Sequence, residues 1–136
     1  MFTMDSRLNN DTVKIASWPL CEVLLMNDAQ YPWLILVPRV SEVTELFQLD
    51  KSQREQLDAE STILGKSLMG LFGGDKLNVA ALGNVVSQLH IHHIVRYQTD
   101  PAWPAPVWGK LPGVPYTAQE LELVIPQLAA ITDYSW

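Results

Sequence analysis

All the histidines of this chain, His90, His92 and His93, fall in one run: Gly83-Asn84-Val85-Val86-Ser87-Gln88-Leu89-His90-Ile91-His92-His93-Ile94-Val95-Arg96. β-Branched and aliphatic neighbours make residues 88–95 read as a buried strand. Side chains alternate along a strand, which puts Gln88, His90 and His92 on one face and Leu89, Ile91 and His93 on the other. A row of two imidazoles and an amide inside an apolar element has to be partnered or put to use. An imidazole that is neutral at one nitrogen, and donates through the other to a fixed acceptor, is a nucleophile. Neighbours on the same face can donate to an oxygen that gains charge. His-x-His on a strand is also a zinc pair, but its third ligand would have to be a distant Asp or Glu. Cys21 is the single cysteine and His93 points the other way. Neither a metal nor a cofactor is therefore expected, and His93 is expected to be structural.

Several elements must position this row. Residues 12–15 read as a short edge strand, 20–26 as a stronger one, and 33–37 as an apolar run closed by Pro38. Between the last two, Asn27-Asp28-Ala29-Gln30 makes a turn, so residues 20–37 form a hairpin. Residues 41–47 suggest a short helix. The longest element starts near Asp50, which with Gln53 resembles a capping pair, and stops at Gly73-Gly74. Leu57, Ser61, Leu64, Leu68 and Leu71 recur along it at helical spacing, while Lys51, Arg54, Glu55 and Glu60 suit its wet face. Strands at 77–82 and 88–95 follow, joined tightly through Gly83-Asn84. A Pro- and Trp-rich loop at 101–115 then leads to a helix capped by Thr117 and Glu120 and bent or interrupted at Pro126. The expected fold is α+β: an antiparallel sheet of about five strands with one long helix and a C-terminal helix.

With 136 residues and no linker or repeat, the chain reads as a single domain, 1–136, with a motif core at 18–109 and a helical extension at 110–136. A net charge of −6 argues against a protein that grips nucleic acid through its phosphates. The first residues lack the basic-then-apolar layout of a signal peptide, and no apolar run approaches the roughly 20 residues of a membrane span. A soluble, cytoplasmic protein with no nucleic-acid or membrane partner is expected.

The run at 83–96 resembles the signature of the histidine triad (HIT) family, Gly-Gln followed by three histidines at alternate positions and a trailing arginine. Without a gap, Gly83 matches the glycine, Asn84 the glutamine, Gln88 the first histidine, His90 the central one, His92 the third and Arg96 the arginine. The hairpin–helix–hairpin order and the Trp103-Pro104-Ala105-Pro106 segment are also similar to the family. A rival register, with His90 first and His92 central, misplaces Gly83 and Arg96 by two residues. The resemblance implies that His90 attacks the α-phosphorus of a nucleotide to form a nucleotidyl-histidine, which water then hydrolyses. It further implies that His92 orients or protonates the bridging and leaving oxygen, and that Gln88 supplies a neutral donor. Two departures stand out: Gln88 replaces a histidine, and Pro32-Trp33 stands where the family carries Gly-His.

The same resemblance places Asn27 near a ribose and implies a homodimer. Asn78 lies on the strand paired with the motif, and Asn84 can close a turn or meet a phosphate. Trp33, Trp103 and Trp108 flank the motif, where an aromatic face suits a base; Trp33 and Trp108 are taken as substrate-binding. The favoured function is a nucleotide hydrolase or nucleotidyl transferase acting on a polyphosphate or phosphoramidate, adenosine type favoured. The alternatives are a nucleotide-binding module on the same scaffold and a metal-dependent hydrolase built on His90 and His92.

Overall fold

A computed structural model describes residues 1–134. Its five strands, β1 Thr12–Ser17, β2 Cys21–Met26, β3 Trp33–Pro38, β4 Lys76–Ala80 and β5 Ile91–Arg96, form one antiparallel sheet in the order β1-β2-β3-β5-β4. Helix α1 (Ser6–Asp11) precedes the sheet, α2 (Lys51–Phe72) connects β3 to β4, and α3 (Ala118–Ile131) follows the long loop after β5. This is the α+β architecture the sequence pattern implies.

The central strands β3 and β5 are buried along their whole length because both sheet faces are covered. On one face Val23, Leu25, Leu34, Leu36 and Val95 pack with Leu57, Leu64 and Leu68 of α2 and Leu128 of α3. On the other, Leu24, Trp33, Ile35, Val37 and Ile94 meet Leu8 of α1 and Ala102 and Val107 of the loop after β5. The long helix begins and ends where its residues demand. Asp50 accepts from the Gln53 amide at 2.8 Å, the Gln53 side chain accepts from Asp50 N at 2.9 Å, and Gly73 terminates it at φ +59°. Among the described residues no helix is long and apolar enough to cross a membrane.

The structure departs from the sequence reading in several places. Glu60, expected on the wet face of α2, is fully buried. Its carboxylate accepts from Leu20 N at 2.9 Å, Cys21 N at 3.0 Å and the Gln56 side chain at 2.8 Å, so it ties the start of β2 to the helix. The helix expected at 41–47 is a single 3-10 turn, Leu46–Gln48, and α1 was not anticipated. Helix α3 continues through Pro126, which lies on its exposed side. Strand β5 starts at Ile91, not at 88, because Leu89 N donates to Val43 O at 2.9 Å instead of pairing with β4. Gln88 and His90 therefore lie in the approach to the strand, in a loop over 81–90. Residues 135 and 136 of the expected C-terminal extension lie outside the described residues.

Candidate active site

Each histidine has a defined partner. A carbonyl can only accept, so the 2.6 Å contact from His90 Nδ1 to Gln88 O puts a proton on Nδ1, and the neutral ring then carries its lone pair on Nε2. His92 has the opposite arrangement: Trp33 Nε1–H donates to its Nδ1 at 2.9 Å, so its proton sits on Nε2. Trp33 pairs with Ile94 and His92 with Ile35 across β3 and β5, which makes Trp33 and His92 diagonal neighbours on one face. His93 faces the long helix. Its Nδ1–H donates to Ile91 O at 3.1 Å and its Nε2 accepts from Ser61 Oγ at 2.7 Å, a structural role as expected from its face. Burial lowers its pKa to about 4. Burial first, then His90 and His93 nearby, bring His92 down to about 3.

Aromatic edges close the site. His92 lies 4.8 Å from His90 and 4.9 Å from Trp108 between ring centroids, and Trp108 meets Trp33 edge-on at 5.9 Å. Trp108 reaches His92 because the loop after β5 is pinned at its start. Buried Arg96 grips Asp100 through two hydrogen bonds of 2.8 and 3.0 Å, and Asp100 also accepts from the backbone N–H groups of Tyr97, Ala102 and Trp103. The Arg96 guanidinium lies 5.7 Å from the Tyr31 ring and 5.6 Å from Trp103.

Two cavities flank the histidines. One of about 350 Å³ is lined by His90, Gly83, Ser87 and Gln88, with Glu45 and Phe47 opposite. The other, of about 370 Å³, is lined by Asn27, Asp28, Trp33, Trp108 and Gly113. Among the described residues no group of three or more His, Cys, Asp or Glu converges as a metal site.

A model of the HIT domain matches residues 7–99. The chain belongs to the histidine triad family. Its structure is similar to that of a histidine triad protein from Marinobacter aquaeolei VT8, with 56% identity, a TM-score of 0.94 and 96% of each chain covered. A histidine triad protein from Bradyrhizobium japonicum is 43% identical with a TM-score of 0.92, covering 95% of this chain and 96% of its own. One from Sinorhizobium meliloti 1021 is 39% identical, also with a TM-score of 0.92 and the same coverage. No curated protein matches the chain.

Against the family signature, the structure brings His90, His92, Trp33 and Trp108 together and gives other expected site residues protein partners. The Gln88 amide is taken up at both ends by the N-terminal arm: Asp5 N donates to its Oε1, and its Nε2 donates to Thr3 O, each at 2.8 Å. Asn27 Oδ1 accepts from Tyr116 N at 2.9 Å, and Asn78 Oδ1 from Arg96 Nη1 at 2.9 Å. Asn84 is exposed beside Gly83. Trp103 lies over Arg96. The sequence reading missed the Arg96–Asp100 clamp, whose signal was an arginine followed four residues later by an aspartate at a strand end. It also missed the N-terminal arm, which no local pattern could have tied to Gln88.

Proposed function

We propose that the protein is a nucleotide hydrolase or nucleotidyl transferase in which His90 attacks the α-phosphorus of a nucleoside polyphosphate or phosphoramidate. The observation that carries this is the 2.6 Å bond from His90 Nδ1 to the Gln88 carbonyl, which leaves Nε2 as the nucleophilic nitrogen, with His90 lining an open cleft. In the first step the Nε2–P bond forms and the leaving group departs. Water then breaks that bond and releases the nucleoside monophosphate. His92 Nε2–H, on the same side, donates to an oxygen that gains charge.

The nucleoside is assigned to the second cavity, adenosine favoured. There half-buried Trp108 offers a stacking face beside Trp33, and the Asn27-Asp28 turn meets the ribose. The Asn27 side-chain oxygen is engaged by Tyr116 N, and Asp28 Oδ1 accepts from Gln30 and from Val114 N, which leaves Asp28 Oδ2 as the acceptor assigned to ribose hydroxyls. Asn84, in the loop beside Gly83, is the polar side chain assigned to phosphate. Gln88 and Asn78 act in support, through the N-terminal arm and Arg96. The same reading takes the protein as cytoplasmic and as a homodimer. Strand β4 is an edge, its Val79 is 51% exposed, and Leu46, Phe47 and Leu82 are exposed nearby.

A panel of a dinucleoside polyphosphate, ADP and an adenosine phosphoramidate tests the proposal in wild type and His90→Ala. AMP release that vanishes in the variant, with an adenylylated His90 peptide trapped in wild type, is expected. AMP binding without turnover in wild type would point instead to a binding module.

A further inference from the structure

The Trp33–His92 contact bears on which leaving groups the site can release. An indole N–H only donates, and here its acceptor is His92 Nδ1 at 2.9 Å. A second proton on that ring would have to occupy the place of the indole hydrogen. Trp33 is 5% and His92 4% exposed, so water cannot substitute readily for either partner. Strand register holds the pair in place. Among the described residues, the titratable groups acting on His92 are His90 from the loop before β5 and His93 behind it, with no carboxylate among them. Trp33 and Trp108 flank the ring with aromatic surface.

Building on the covalent reading above, we propose that Trp33 is a positioning residue that locks His92 as a permanently neutral Nε2–H donor. The site then accepts nucleotides whose leaving group departs as a weakly basic anion, a phosphate, pyrophosphate or carboxylate oxygen, and discriminates against amines and alkoxides. His90 Nε2 supplies the electron pair of the new N–P bond. The P–O bond breaks, and its electron pair leaves on an oxygen of a group that already carries any proton it needs at neutral pH, phosphate departing from ADP protonated on its terminal phosphate as HPO4(2−). His92 donates a hydrogen bond and keeps its hydrogen, since losing it would create an imidazolate. Water then attacks phosphorus, the N–P pair returns to His90 Nε2, and the proton of the water goes to solvent. A phosphoramidate nitrogen must be protonated before its bond to phosphorus breaks, and His92 has no proton to give.

Nitrogen-15 NMR of ring-labelled protein reads the lock without any substrate. The expected signal is a neutral His92 protonated at Nε2, unchanged between about pH 5 and about pH 8. A cationic ring, or a proton on Nδ1, in that range overturns the proposal. Aryl esters of AMP then read the consequence: kcat/KM falls about fivefold or more for each unit rise in phenol pKa, and the phosphoramidate lags ADP by about a hundredfold. A flat series, or one whose slope is unchanged in Trp33→Phe, overturns the restriction; the wild-type measurements stand alone if that variant does not fold. If no ester or anhydride is turned over, the covalent reading fails and takes the leaving-group restriction with it, while the NMR result still decides the lock.

Discussion

Replacing Asp100 tests how the loop that carries Trp108 is held. The Asp100 side chain is 2% exposed and so is that of Arg96. Asp100→Ala removes two charge-assisted bonds and three backbone acceptor contacts, and among the described residues leaves the buried guanidinium with Asn78 as its one side-chain hydrogen-bond partner. Breaking a buried pair in this way costs about 3–5 kcal/mol. Asp100→Asn keeps the shape, loses the charge and turns one oxygen into an N–H donor among N–H groups, and the charge part of its cost follows from the carboxyl's own ionisation. Burial alone would raise that carboxyl, but the Arg96 hydrogen bonds and the N–H groups of Tyr97, Trp103 and Ala102 outweigh it and hold it at about 2, below the usual 3.8. Because the folded-state value is the lower one, this stabilisation is complete above about pH 4 and is lost as pH falls through about 2. The difference corresponds to about 2 kcal/mol at neutral pH. Urea unfolding of wild type and both variants at about pH 7 and about pH 2.5 measures it, with an unchanged m value as the sign of a native-state effect. Asn should cost at least about 2 kcal/mol at neutral pH, and the gap to wild type should shrink in acid. An Ala variant that loses under about 1 kcal/mol, or an Asn gap of equal size at both pH values, refutes the account of the clamp.

Two further outcomes follow from the packing. Glu60→Gln turns one carboxylate oxygen into an N–H donor facing the backbone donors of Leu20 and Cys21, and should cost about 2–4 kcal/mol in urea unfolding. A surface-like loss below about 0.5 kcal/mol would show that Glu60 does not tie β2 to α2. Val79→Asp places a charge on the exposed β4 edge and should convert a dimer to a monomer in light scattering, with wild type dimeric at the same concentration. A wild type that is already monomeric would refute the dimer.

Local chemistry made much of this protein legible. The capping pair Asp50–Gln53, the Gly73 stop and the apolar runs of β2 and β3 are decided within a few residues, so helix and hairpin could be read directly. The spacing of His90 and His92 and the family signature around them were equally local, and so was the face on which His93 falls. What each side chain bonds to was not. Gln88 sits in the middle of the motif, yet its amide goes to Thr3 and Asp5, more than eighty residues away in sequence. Glu60 looked like a solvated helix residue until the turn before β2 brought two unpaired backbone donors against it. Arg96 looked like a strand-end cation until a loop folded back to give it a carboxylate. The tautomers of His90 and His92 depend on a carbonyl and an indole that only the closed sheet and loop bring within reach. Helix, strand and motif follow from local sequence because propensity and periodicity act over a few residues. Protonation and partnership depend on burial and long-range contact, which exist only once the chain has folded.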